Sequence, residues 1–454
     1  MKIEAKSGAL SWRKFFKFGL SLILIVGVVL VLALPGERTR KYPGREPVKF
    51  WHMWSGEWKV VIDRIADRFN QSQDKYEVIA LSVPGQSADQ KFLMSVTGGD
   101  APDVMAQWNQ VIPAWAESGL LMPLDKLMSK AELDELRQAA YPVAMQIGSY
   151  KGHLYGVTTG INIHACYFRL DHLAAAGLDP QEFPRNMEGL REWGAKLNHF
   201  DAEGNLTRIG FLPEKFNMYA PVFGGGFYDE KAGRVTINTP ENLRALTFEF
   251  DYRKALGLDH VVRFNSSLNT GGFSTEWPFI SGQFSITMDG QWRVEQLAKY
   301  APDLKYGTAP LPPPSGGKAL AGFASGNFML VPKNAAHAEG AWEFIKFWSG
   351  IDNPERAAEF YIWGGWLPLT PKIAAAPAYQ DYIRKYPQFK TFLDILSSKN
   401  IQTAPPVPYQ VMLADFIKRA EDFAMRGEKT PKEALDDLER EVAREVARRK
   451  RFGL

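Results

Sequence analysis

From Val48 onward the sequence alternates short apolar runs with segments of helical periodicity, and this alternation restricts the fold more than any other feature of the chain. Val48 to Met53 is an apolar run of strand length. Trp58, Val61, Ile62, Ile65, Ala66 and Phe69 then recur at the three- and four-residue steps of one buried helical face. Tyr76 to Val83 predicts a second strand, Ala88 to Val96 a second helix, and Val104 to Ala106 a third strand after the turn Gly98-Gly99-Asp100-Ala101-Pro102. Strands alternating with helices build a mostly parallel sheet covered on both faces. Ligands of such sheets sit beyond the carboxyl ends of the strands.

At 454 residues the chain exceeds one ordinary domain and predicts two lobes, or three, each able to bury its own core. Hydrophobic residues at 45% and charged residues at 23% are globular usage, which excludes a disordered or collagenous chain. One cysteine, Cys166, can form neither an intramolecular disulfide nor a thiolate metal cluster. The stretch of about residues 160 to 280 is richer in helices, one ending at Gly177 and another spanning Met187 to Leu197. Phe284 to Met288 alternates in the manner of a strand, and Leu311 to Gly317 is a proline and glycine loop. Ala338 to Trp348 predicts an amphipathic helix and Thr430 to Arg451 a charged one. Asp201-Ala202-Glu203-Gly204-Asn205 has the look of half a calcium loop, but Leu212 stands at its twelfth position, so a plain turn is expected.

Charge is unevenly spread. Residues 1 to 46 hold nine Lys/Arg against three Asp/Glu, leaving 45 basic against 48 acidic residues in the rest. A near-neutral body argues against nucleic acid, which needs a basic face. The basic segment carries an export signal: Phe18 to Leu34 is apolar or small throughout and follows Lys2, Lys6, Arg13, Lys14 and Lys17. Its length fits either a signal peptide, with Val31-Leu32-Ala33 as a cleavage site, or a retained transmembrane anchor in the cytoplasmic membrane. Both readings place the remainder outside the cytoplasm, in the periplasm or on the outer face of the membrane.

Catalytic signatures are scarce. The sequence has no Gly-x-Ser-x-Gly elbow, no His-Glu-x-x-His helix and no phosphate loop ending in Gly-Lys-Ser/Thr. The seven histidines show no metal-ligand spacing, so neither a metal nor a cofactor is assigned. Aromatics are the abundant resource: thirteen tryptophans, several beside glycine or polar residues in loops. An indole offers a flat apolar face that suits the CH-rich face of a sugar ring, while amides and carboxylates take its hydroxyls. Core or hinge packing is the competing role for each of them.

The segments FWHMWSGEW, GGDAPDVMAQW, ESGLLMPLDKL, KGHLYGVTTGINIHACYFRLDHLAAAGLDP, WPFISGQFSITMDGQW, SGNFMLVPKNAAHAEGAWEFIKFWSG and WGGWLPLT, in this order, resemble the family 1 extracellular solute-binding proteins of ABC importers, the maltose-binding-protein-like sugar receptors. Two departures stand out. No lipobox cysteine follows the apolar run, and Val157-Thr158-Thr159-Gly160 stands where relatives commonly have a proline after Tyr-Gly-Val.

The resemblance implies an α/β, two-lobed periplasmic-binding-protein fold of type II-like form, with discontinuous lobes and a hinge. Residues 1–46 would be signal or anchor with linker, 47–158 and 285–334 lobe one, and 159–284 and 335–454 lobe two. Three crossings are expected, near Val157 to Asn162, Gly282 to Ile286 and Val331 to Ala338. It further implies a monomer without catalytic residues that delivers a sugar or oligosaccharide to ABC permease subunits. Ligand contacts carried over from the family are Trp54, Ser55, Glu57, Asp103, Gln107, Trp108 and Asn109 in the first lobe. Asn162, Phe223, Gly224, Gly225, Trp277, Asp289, Gly290, Trp292, Ser325, Asn327, Trp363, Gly364 and Trp366 complete the set, with Trp292 the first choice as stacking platform and Asp289 beside it as hydroxyl acceptor. Two alternatives stand beside the sugar receptor. One is a receptor for glycerol phosphate or another anion, for which Lys59 and Arg293 are the candidate cations. The other is an envelope glycosidase acting on the same sugars.

Overall fold

The computed structural model describes residues 40–83, 87–268 and 277–452. The apolar run Phe18 to Leu34 lies outside them, and among the described residues no helix is long and apolar enough to cross a membrane.

The predicted alternation is present. Strand β1 (Glu46–His52) leads into helix α1 (Gly56–Ser72), then β2 (Tyr76–Ser82), α2 (Ser87–Gly98) and β3 (Val104–Trp108). Ile62, Ile65, Ala66 and Phe69 of α1 are buried, as their spacing requires. The Asn70 side chain ties the end of α1 to β2, donating to the Val78 carbonyl at 3.0 Å and accepting its N–H at 2.7 Å. β1 and β3 pair in parallel, Phe50 opposite Val104.

Helices α3 (Met187–Leu197), α4 (Phe216–Val222), α5 (Pro240–Leu256) and α6 (Arg293–Tyr300) come next, and two sheets organise the rest. Strands β4 (Gly156–Asn162), β5 (His164–Arg169), β6 (Ile286–Gly290), β7 (Tyr306–Ala309), β8 (Gly322–Leu330) and β9 (Ile401–Thr403) divide between them. The six-stranded sheet runs β9-β8-β3-β1-β2, with β4 also paired to β8. The three-stranded sheet runs β6-β5-β7, all antiparallel. Alternation along β5 serves two cores. Tyr167 faces the cluster that contains Trp277, Phe279 and Phe392, whereas Cys166 and Phe168 face the cluster that contains Phe211, Tyr219 and Leu413.

The strand partners relocate the second of the three expected crossings. The chain leaves the six-stranded sheet between Asn162 and His164, where the first was expected. The segment Gly282 to Ile286 is no crossing, because Ile286 and Met288 of β6 pair opposite Phe168 and Cys166 within the three-stranded sheet. The return comes later, between Ala309 and Gly322. The stretch 335–454, expected in lobe two, is divided by its packing. Helix α7 (Ala338–Ser349) covers β1 and α1, with the Phe344 ring 5.1 Å from Phe50 and 5.3 Å from Phe69. The chain then passes to α8 (Pro354–Gly364), α9 (Phe389–Leu396), α10 (Gln410–Met425) and α11 (Pro431–Phe452). Phe392 of α9 packs 5.8 Å from Tyr167, and the buried faces of α10 and α11 join the second core.

Candidate functional site

Two cavities open beside strand carboxyl ends. The first, of about 380 Å³, is lined by Ser55, Glu57 and Trp58 after β1, by Trp363 and Gly364 at the end of α8, and by Trp292, Glu295, Gln296, Lys299 and Tyr300. The last four belong to the helix Arg293–Tyr300, which follows β6. The second, of about 460 Å³, joins Asn109 after β3 to Gln146, Tyr150, Lys151, Tyr228, Glu230 and Gln410. Both volumes suit a small organic ligand.

Of the residues expected to touch ligand, Ser55, Glu57, Trp292, Trp363 and Gly364 line the first cavity and Asn109 the second. Trp108 ends β3 with 41% of its surface exposed, the largest free indole face among them. Trp292 is half-buried, its ring centroid 5.4 Å from that of His164 in a T-shaped contact, and an Arg64 guanidinium stacks 3.6 Å over Trp363. Gly364 fits because a Cβ there would sit 2.2 Å from the Trp366 indole.

Others are committed to the scaffold. Trp54 and Trp366 are buried and stack with Trp348, at centroid distances of 6.0 and 5.9 Å. Trp277 is buried beneath the Arg293 guanidinium, 4.3 Å from its ring centre. Asp103 stands at the amino end of β3, the wrong end for a ligand. Its carboxylate accepts the Lys49 and His337 N–H groups, both at 2.8 Å, and so clamps β1 to the segment entering α7. Gln107 is buried between Asp89 and the Trp108 N–H, at 2.7 and 2.9 Å.

Asp289 is not the open hydroxyl acceptor that its sequence context suggests. Its carboxylate accepts from Arg293 Nε and from the Gly290 N–H, both at 2.8 Å. Burial pushes this carboxyl up, but Arg293, Lys215 and His164 outweigh burial and hold it below the usual carboxylate range. The Gly290 carbonyl accepts the Tyr167 hydroxyl at 2.7 Å. Asn162 accepts from Gln291 at 3.1 Å, which joins β4 to the loop after β6. Ser325 pairs opposite Asn162, and the buried Asn327 opposite Trp108. The threonines in place of the family's proline donate their hydroxyls to the Asn327 carbonyl, each at 3.1 Å, where the β4–β8 register shifts. Phe223 packs in the second core. Gly224 takes φ +88° after the helix Phe216–Val222, and a Cβ on Gly225 would meet Asn242 Oδ1 at 2.2 Å. The Asp201 carboxylate accepts from Asn205 N–H at 2.7 Å in a turn.

Glu295, Gln296, Lys299 and Tyr300 were missed by sequence reasoning, although they lie three, four, seven and eight residues after Trp292. That spacing puts them on one helical face with the tryptophan. The Lys299 ammonium and the Tyr300 hydroxyl, the latter at 2.7 Å, both donate to Glu57. Those two donors hold the Glu57 carboxyl below its usual range, and burial pushes Glu295 up. In the second cavity Lys151 is bonded to Glu117 at 2.7 and 2.9 Å. The two cations singled out for an anionic ligand line neither cavity: Lys59 pairs with Asp63 on its own helix, and Arg293 with Asp289 and Gln296.

The family model for bacterial extracellular solute-binding proteins matches residues 64–391 of the chain. The maltotriose-binding protein of Pyrococcus abyssi is 22% identical over 352 residues, 74% of this chain and 70% of its own length. The sn-glycerol-3-phosphate-binding periplasmic protein UgpB of Salmonella typhimurium is 22% identical over 437 residues, 90% of this chain and 94% of its own. The mannotriose-bound structure of CpMnBP1 superposes with a TM-score of 0.75 at 24% identity, covering 87% of this chain and 99% of that one. This likeness shows the fold, the two-lobed α/β form of the periplasmic binding proteins.

Proposed function

We propose that this chain, which belongs to the family of bacterial extracellular solute-binding proteins, captures a neutral oligosaccharide between two lobes and presents it to the permease of an ABC importer. One observation carries the choice of ligand: both cavities offer aromatic, amide and carboxylate groups, while the lysine on each lining is already paired with a carboxylate. A sugar needs flat apolar faces and hydroxyl partners; a phosphomonoester needs charge-assisted donors with no competing anion. The maltotriose-binding relative and the mannotriose-bound structure support the same reading. The UgpB relatives favour glycerol phosphate, which the paired lysines oppose.

In this reading Trp108, Trp292 and Trp363 supply the stacking faces. Lobe one is built on the six-stranded sheet with α1, α7 and α8, and lobe two on the three-stranded sheet with α10 and α11. The protein works as a monomer outside the cytoplasmic membrane, and residues 1–46 direct its export. The named relatives are binding proteins, which supports capture without turnover over the glycosidase alternative.

A thermal-shift panel of maltotriose, mannotriose and sn-glycerol 3-phosphate tests the ligand class. A bound ligand at 100 times its dissociation constant stabilises the native state by about 2.7 kcal/mol. A trisaccharide is expected to raise the melting temperature and to be recovered uncut after long incubation. A shift with glycerol phosphate alone overturns the choice, and cleavage of the sugar overturns the assignment as a receptor.

A further inference from the structure

We infer that Glu57, Lys299 and Tyr300 form a latch across the cleft that holds the lobes partly closed before ligand arrives, and so sets the affinity. This rests on the two-lobe reading above. Glu57 sits in the first turn of α1, whose buried face packs into the core of the six-stranded sheet. Lys299 and Tyr300 end the helix that follows β6 of the three-stranded sheet. The contact therefore joins helices that follow strands of different sheets and whose buried residues, Val294 and Leu297 on one side and Ile62 and Ile65 on the other, share one apolar cluster, on the lining of the cavity that holds Trp292 and Trp363.

The charges suit their places. A carboxylate at a helix amino end and an ammonium at a helix carboxyl end each complement the local dipole. The Glu57 carboxylate takes both donors, the Lys299 ammonium and the Tyr300 hydroxyl. The side chains of Glu57 and Lys299 are 62% and 54% exposed, so water and salt screen the pair. An ion pair in that setting biases an equilibrium without locking it. A second contact, Gln146 Nε2 donating to Glu230 Oε1 at 2.8 Å on the lining of the other cavity, involves only one charge and is less open to screening.

Apparent affinity scales with the fraction of protein already in the binding-competent state. A neutral ligand has no reason to bind more weakly in salt, whereas a latch made of an ion pair does. This separates the latch from a direct contact between Glu57 and the ligand.

The test is a mutant cycle on Glu57→Gln, Lys299→Met and the double variant, titrated with mannotriose and maltotriose from low to high ionic strength. Each single variant is expected to bind about two- to fivefold more weakly at low salt, the double variant no worse than either, and all to converge on the wild type at high salt. A loss confined to Glu57→Gln, or wild-type affinity independent of salt, overturns the latch. If neither trisaccharide binds, the ligand assignment fails, and small-angle scattering of the unliganded proteins still judges the latch. A wild-type radius of gyration that grows with salt to meet that of the variants supports it; equal radii at every salt concentration overturn it.

Discussion

Glu249 is buried in the helix Pro240–Leu256, and among the described residues neither of its carboxylate oxygens has a hydrogen-bond partner. Burial, reinforced by Glu421 and Glu214 and only partly offset by Arg253 and Lys418, holds its carboxyl well above the usual range. In the unfolded chain the group ionises near 4.5. As pH rises past that value the unfolded state releases a proton that the native state retains, so native stability falls until the native pKa is passed. Glu249→Gln removes the ionisation and is expected to stabilise the protein by about 1–3 kcal/mol at pH 8 while changing little at pH 4. Melting curves at the two pH values check this, and equal shifts at both would contradict it. Tryptophan shows the same dependence on surroundings at residue scale. Trp54 and Trp108 both follow a strand of the six-stranded sheet or end one, yet one is 6% exposed and the other 41%. Trp54→Ala should therefore lose about 3–5 kcal/mol of stability, the loss typical of a buried aromatic. Trp108→Ala should leave the melting temperature near that of the wild type and weaken trisaccharide binding by about 2 kcal/mol, roughly thirtyfold. Calorimetry and thermal unfolding of both variants separate the two roles, and a melting loss in Trp108→Ala would show it to be structural.

Among the elements, periodicity made the first sheet legible. The apolar steps of α1 and the short runs of β1 to β3 each follow from side chains that one core must bury, and all of them form close to their expected bounds. The partner of a strand is a different matter. Nothing local in Phe284 to Met288 says whether it joins the first sheet or the second, because alternation shows that one face is buried and not which core receives it. The candidate site divides along the same line. Ser55, Asn109 and Trp292, carried over from the family resemblance, lie next to strand carboxyl ends and line the cavities. Asp103 and Asp289 were not, since a carboxylate in a turn reads alike whether it waits for a ligand or accepts the chain's own N–H groups. The face formed by Glu295, Gln296, Lys299 and Tyr300 could have been found by extending the helical step from Trp292.

At the scale of the molecule, the chain crosses between its sheets where β4 meets β5 and again between β7 and β8, and β9, after α9, pairs once more with β8 of the first sheet. In the proposed two-lobe reading these connections are the hinge about which the lobes close on a ligand. In the proposed reading, closure draws its free energy from contacts that only the closed form makes, stacking on indoles among them. The Glu57–Lys299 pair contributes a small bias in the same direction. The most direct measurement of capture by closure is small-angle scattering at fixed ionic strength, with and without saturating trisaccharide. A smaller radius of gyration is expected on saturation, and tight binding with an unchanged radius would overturn capture by closure.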